Sequence, residues 1–189
     1  MLDKIDLSKS LDKKTYKSEI KELHNTLNFL QQKMRELEIP VCIVFEGWSA
    51  SGKGTLINKI LYPLDPRYVN VYSLNRLSEE VTMRPFLWNF WEKMPSKGRM
   101  TIFDKSWHRT ILPEGLKKWN LTEDERKGFF YDTNAFEKMH QDDGTLIIKI
   151  FLHISKDEQK KRFKEIEKNK NTRWLVDDKD WEQNNQYNK

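Results

Sequence analysis

The sequence has a single cysteine, Cys42, so neither an intramolecular disulfide nor a cysteine-based zinc site can form within one chain. Cys42 sits inside Val41-Cys42-Ile43-Val44-Phe45, where a small buried thiol is the simpler reading than a reactive one. Long apolar runs are missing too: that stretch falls far short of the ~20 residues needed to cross a bilayer. The charged start Met1-Leu2-Asp3-Lys4 lacks the apolar segment of a secretory signal, so a cytoplasmic protein with no membrane partner is expected. Glycine and proline are scarce, 7 and 6 in 189 residues, and no Pro/Gly-rich linker, repeat or low-complexity tract divides the chain. Charge of one sign is also modest: 34 Lys+Arg against 29 Asp+Glu leaves +5. That balance favours polyanionic partners, but no nucleic-acid recognition motif accompanies it. What is present is a folding core, with ten Phe, seven Trp and six Tyr, in a chain long enough for one α/β domain.

Tyr16, Ile20, Leu23, Leu27, Leu30, Met34 and Leu37 recur at alternating spacings of four and three, which predicts an amphipathic helix over 12–38 with a coiled-coil-like seam. Its apolar stripe either packs on its own domain or pairs with a second subunit or domain. Pro40 is expected to stop it. The run Val41 to Glu46 has the pattern of a parallel strand buried on both faces. Further strands are expected at Tyr68–Leu74, Met100–Phe103 and Thr145–Ile154, with helices near 52–62, 79–93 and 122–141. This βαβα alternation implies an α/β fold. Thr122 with Glu125 and Ser155 with Glu158 have capping-box spacing, a basic helix follows over Lys156–Lys170, and the chain stops on a polar helix after Asp177.

Gly47-Trp48-Ser49-Ala50-Ser51-Gly52-Lys53-Gly54-Thr55 follows the first strand and opens a helix, the context a G-x-x-x-x-G-K phosphate loop (Walker A) requires. Glycines let the backbone curl with its amides inward, the helix start adds a positive dipole end, and Lys53 brings a mobile cation to a phosphoryl group. Gly54 stands where Ser or Thr is usual and Thr55 comes one place later, as in nucleoside monophosphate kinases. Met100-Thr101-Ile102-Phe103-Asp104 has the form of a Walker B strand, whose acid reaches Mg²⁺. Lys105 and Arg109 put cations beside it. A later basic cluster holds Arg162 and Arg173 among Lys160, Lys161, Lys164, Lys168 and Lys170. The arginines are the better phosphate candidates because a planar fork binds oxygens in pairs.

Taken together, Phe45 to Thr55, Leu64-Asp65-Pro66-Arg67, Phe103-Asp104-Lys105-Ser106-Trp107, Phe136-Glu137, Asp142-Asp143-Gly144, Arg162-Phe163 and Arg173-Trp174 resemble the polyphosphate kinase 2 family. Pro85-Phe86-Leu87-Trp88-Asn89-Phe90-Trp91 is most similar to its two-domain branch, the polyphosphate:AMP phosphotransferases, one of whose domains is degenerate. The resemblance implies a P-loop kinase-like three-layer sandwich with a long N-terminal helix (1–40), a kinase-like domain (41–189) and a lid near 110–121 hinged at Pro113 and Gly115. It also implies Mg²⁺ held by Asp104 and Thr55, and phosphoryl transfer between inorganic polyphosphate and a nucleotide, AMP or ADP. Lys53 and Asp104 take the catalytic places; Gly47, Ser49, Ser51, Gly52, Gly54, Thr55, Lys105, Arg109, Arg162 and Arg173 the phosphate-binding ones.

Three positions depart from the family pattern: Ser49 replaces an aspartate of the loop, Lys105 an arginine, and Thr110 another arginine. They predict weakened turnover, since losing an acid and a transition-state cation costs several kcal/mol and each ~1.4 kcal/mol is tenfold in rate. The short C-terminus suggests a truncated N-terminal domain of a tandem enzyme. The alternatives to a working kinase are a non-catalytic or polyphosphate-binding domain supporting an active sister domain or subunit, and an ATP-using nucleoside monophosphate kinase.

Overall fold

A computed structural model describes residues 4–73, 83–111 and 122–187. Four strands, β1 (Val41–Gly47), β2 (Val69–Ser73), β3 (Met100–Asp104) and β4 (Leu146–Leu152), form one parallel sheet in the order β2-β3-β1-β4. Val41 pairs with both Met100 and Leu146, and Val69 pairs with Met100, so the strands start level and end together at one edge of the sheet.

Alternation along the central strand builds the layers, because successive side chains of a strand point to opposite faces. Val41, Ile43 and Phe45 join Met34, Ile57, Leu64, Met100 and Ile102 in one buried cluster. Cys42 and Val44 join Phe90, Phe103, Trp107 and Phe136 in the other. Helices α1 (Lys13–Glu36) and α2 (Lys53–Leu61) supply the first cluster; α3 (Trp88–Trp91), α4 (Trp107–Ile111) and α5 (Glu123–Asp142) supply the second. This is the expected three-layer α/β arrangement. Each fully buried side chain of this size contributes roughly 1.5–3 kcal/mol, and Phe45, Phe103, Trp107 and Phe136 are completely enclosed. Burial also pushes the Cys42 thiol up to about 12, with the charge of Glu137 adding to it, so this cysteine is a core residue.

Several expected boundaries move. Helix α1 ends at Glu36, two residues short of the expected 38, because Glu38 takes a left-handed conformation (φ 55°) and Ile39 N–H closes back on Met34 O. Of the expected helix 79–93, the described part is helical only at Trp88–Trp91, after Pro85, which disfavours helix in the residue before it. The Thr122/Glu125 box is reciprocal. Ser155 Oγ accepts the Glu158 amide of α6 (Lys156–Lys168), but the Glu158 carboxylate turns to Arg162 Nε at 2.7 Å, leaving half a box. The final helix, α7 (Asp178–Asn185), starts on a reciprocal box between Asp177 and Asp180 that the sequence reading lacked.

Along the α1 seam only Met34 is buried; Tyr16, Leu23, Leu30 and Leu37 are exposed, as is Phe29 beside them. The edge strand β4 likewise leaves Leu146, Ile148 and Phe151 open.

Candidate active site

The loop between β1 and α2 lies at the carboxyl edge of the sheet, where parallel α/β sheets place ligands. Gly47 fixes its first bend. Its φ is 134°, and a Cβ there would lie 2.2 Å from Leu152 O, inside the neighbouring strand. Gly52, at φ 101°, is the N-cap of α2, and Ala50 is left-handed at φ 56°. Lys53 opens the helix and folds its ammonium back over the loop, donating to Gly47 O (3.0 Å) and Trp48 O (2.8 Å). Burial lowers its pKa, while the carboxylates of Asp104 and Glu46 oppose that shift.

Strand β3 delivers Asp104 to the same edge. Among the described residues, Asp104 Oδ1 and Ser51 Oγ are buried atoms without a hydrogen-bond partner, an arrangement that needs an explanation such as an ion or ligand. The chain then bends at Lys105 (φ 71°), whose N–H donates to Phe45 O at 3.0 Å. Glu46 Oε1 accepts both the N–H (2.7 Å) and the Oγ (2.8 Å) of Ser106, fixing the segment after Asp104 against β1. Burial lowers the Lys105 pKa and the Arg109 charge lowers it further, against the pull of Asp104, Asp180 and Glu46. Lys53, Asp104, Lys105, Glu46 and Arg109 thus share one electrostatic neighbourhood.

From the other side the loop is clasped by α6 and α7. Arg162 Nη1 donates to Ala50 O (3.1 Å) and Ser51 O (3.0 Å). Gln159 Nε2 donates to Ser49 O, Gln183 Oε1 accepts Ser49 N–H, and Ser49 Oγ donates to Asp180 Oδ1 at 2.5 Å. Trp48 stacks on Tyr187 with ring centres 4.5 Å apart, and its Nε1 donates to His153 Nδ1.

A G-x-x-x-x-G-K loop, a carboxylate with one unpartnered oxygen at the end of the adjacent strand, and the cations Lys53, Lys105 and Arg109 share one neighbourhood, an arrangement suited to phosphoryl groups. The family model for Polyphosphate kinase 2 (PPK2) matches residues 10–189. The chain belongs to this family. It is 33% identical to a polyphosphate:AMP phosphotransferase of Pseudomonas aeruginosa over 96% of this chain and 36% of that protein. It is 37% identical to one of Acinetobacter johnsonii over 88% of this chain and 34% of that protein. An AMP/ADP-polyphosphate phosphotransferase of Meiothermus ruber is 33% identical over 78% of this chain and 57% of that one. A crystal structure of a polyphosphate kinase 2 from Pseudomonas aeruginosa superposes with a TM-score of 0.91 at 31% identity, covering 98% of this chain and 40% of that one. The chain therefore spans about a third of the length of the first two of these relatives.

Within this polyphosphate kinase 2 fold, Gly47, Ser49, Ser51, Gly52, Lys53, Asp104, Lys105 and Arg109 come together at one edge, with Arg162 behind the loop. Arg162 is engaged on loop carbonyls and Glu158, a bracing role more than an open fork. Gly54 and Thr55 are exposed in the first turn of α2. Arg173 sits exposed on the 3-10 turn Arg173–Leu175, and among the described residues no hydrogen bond ties it to the loop. Most of the expected lid, 112–121, with Pro113 and Gly115, lies outside the described residues.

Sequence reasoning did not assign Glu46, Gln159, Asp180 or Gln183 to the site, nor give Glu137 a role. Glu137, the acid of the Phe136-Glu137 pair, is 7% exposed and accepts from Trp107 Nε1 (2.9 Å) and Lys149 Nζ (2.5 Å), with His108 Nε2 3.0 Å away. It anchors the helix that follows Asp104.

Proposed function

We propose that the chain transfers phosphoryl groups between inorganic polyphosphate and a nucleotide, with AMP converted to ADP as the main reaction. The observation that carries this reading is the buried, unpartnered Asp104 Oδ1 beside Lys53 and the Gly47–Thr55 loop. In the forward step an oxygen of the AMP phosphate bonds to the terminal phosphorus of polyphosphate. The P–O bond to the next phosphate breaks, and the shortened chain leaves with the electron pair. Lys53 leaves its two loop carbonyls to meet the phosphoryl oxygens, and Lys105 and Arg109 offset the charge that spreads over them. Asp104, through its unpartnered Oδ1, and the Thr55 hydroxyl would hold a divalent cation, Mg²⁺ in this reading, which would neutralise phosphate charge.

The activity belongs to a protein acting in the cytoplasm; the exposed α1 seam supports packing on a second like domain or subunit. A second reading, a non-catalytic phosphate-binding domain, draws on the loop's internal satisfaction: Lys53 Nζ and the Ser49 amide are both occupied by protein groups. The test is ADP formation from long-chain polyphosphate, AMP and Mg²⁺. Turnover by the chain that Lys53→Ala abolishes supports the kinase reading. Tight polyphosphate binding without turnover supports the second.

A further inference from the structure

Three segments meet at the amino edge of the sheet, the opposite end of the strands from the loop between β1 and α2. They are the last turn of α1 with Arg35, the 3-10 turn Pro66–Tyr68 that leads into β2, and the turn 96–99 that leads into β3. Strand β1 has seven residues, so at about 3.3 Å per residue this edge lies roughly 20 Å from the loop. The turn 96–99 is closed by Arg99 N–H on Ser96 O at 3.0 Å, with Gly98 left-handed at φ 68°, and Arg99 O accepts from Val41 N–H at 3.0 Å. Between the three segments lies an open depression of about 600 Å³ whose charged lining is Arg35, Lys97, Arg99, Glu36 and Glu38.

Tyr68 organises the cations. The Arg35 guanidinium lies 3.6 Å from the centre of its ring and donates from Nη2 to its hydroxyl at 2.8 Å. Arg99 stands 5.8 Å from the same ring and donates from Nη1 to Arg67 O at 2.9 Å. A guanidinium carries five N–H donors, and among the described residues each of these two donates one hydrogen bond. Among the described residues no carboxylate lies within ion-pair distance of Arg35, Lys97 or Arg99. Two nearby acids are engaged elsewhere: Glu36 pairs with Lys33 at 2.6 Å, and Asp65 is gripped by Arg67 at 2.7 Å. Glu38 and the carbonyl end of α1 oppose an anion, one acid and a partial charge against three cations. Paired guanidinium groups of this kind suit phosphate oxygens, which they bind through parallel N–H donors. Arg35 already covers Tyr68, the aromatic side chain of the lining, so no bare ring is offered to a nucleobase.

We infer that this depression is an anion site for an inorganic oligophosphate chain, with Arg35, Lys97 and Arg99 as its ligands and Tyr68 as the support that holds Arg35 in place. It uses no residue of the loop between β1 and α2, and it does not depend on phosphoryl transfer there.

The test is titration of the isotope-labelled chain with inorganic tripolyphosphate, followed by amide chemical shifts. Movement at Lys97, Gly98 and Arg99 is expected beside any at 47–55, and is expected to survive Lys53→Ala. Arg35→Gln combined with Arg99→Gln is expected to weaken binding at 97–99 roughly tenfold or more, as losing two charge-assisted partners does, and to leave the shifts at 47–55 in place. Lys97→Gln, whose ammonium makes no ion pair among the described residues, covers the case in which the double variant misfolds, and is expected to weaken the same binding about threefold. ATP is the second ligand and is expected to bind at 97–99 no more tightly than tripolyphosphate, because the phosphates alone are held. The amides of Lys160, Lys161 and Lys164 on α6 report general attraction of anions to exposed lysines. The inference is overturned by an absence of movement at 97–99, by binding there no tighter than at those three lysines, by affinity undiminished in Lys97→Gln or in the double variant, or by tighter binding of ATP. Each of these results leaves the reading of the loop untouched. Movement at 97–99 with no response at 47–55 supports the amino-edge site and counts against the loop instead.

Discussion

Replacing Glu137 with glutamine removes one charge and almost no volume from beneath the helix that follows Asp104. Burial alone would raise the Glu137 pKa, but the bonds from His108, Lys149 and Trp107 outweigh it and hold the carboxyl at about 2, against an ordinary 4.5. A carboxyl depressed that far is worth about 3 kcal/mol at neutral pH. Because the folded value is the lower one, this stabilisation is complete above pH 4.5 and drains away as pH falls toward 2. Urea unfolding followed by tryptophan fluorescence, run on both chains at several pH values, reads the difference directly. Glu137→Gln is expected to lose about 3 kcal/mol at pH 7, and the gap is expected to shrink to about half by pH 3, since only the parent chain still has a charge to lose. A gap independent of pH would refute the reasoning, because it would make Glu137 a packing residue whose charge is irrelevant.

Gly47→Ala forces a methyl to within 2.2 Å of Leu152 O. Urea unfolding is expected to show a loss greater than about 2 kcal/mol, together with loss of tripolyphosphate binding at the loop. Cys42, fully enclosed with its thiol pushed up to about 12, is expected to stay unreactive toward a thiol reagent at pH 8 until the chain is unfolded, as a time course with and without denaturant will show. Leu23→Lys and Leu30→Lys together, on the exposed seam of α1, are expected to leave the melting temperature unchanged and to shift any self-association seen by analytical ultracentrifugation toward monomer. An unaltered dimer would place the contact elsewhere.

The features legible in the sequence are those encoded by near neighbours. The run at Val41–Phe45 announces a strand buried on both faces, and β1 is central with alternate residues feeding two cores. Gly47, Gly52 and Lys53 are spaced by the loop they form, and the Thr122 box is written within four residues. The misread parts depend on competition or distance. Glu158 has the spacing to cap its helix, yet the guanidinium of Arg162, one turn away, offers its carboxylate a charged partner. The α1 periodicity fixes a seam but cannot say what covers it. The partner of the Ser49 hydroxyl is not legible from the loop alone, because Asp180 is 131 residues further along.

That separation also sets an order of assembly. Strands β1, β3 and β4, and with them both buried clusters, are all specified before residue 153, whereas the side-chain partners of Ser49 arrive at positions 159, 180 and 183. A chain emerging from the ribosome can therefore close its sheet while the phosphate loop still lacks Asp180 and Gln183, and long-range contacts of this kind are slow to form. The hydrophobic framework is complete in the sequence first, and the side chains that clasp the loop between β1 and α2 follow with the last two helices.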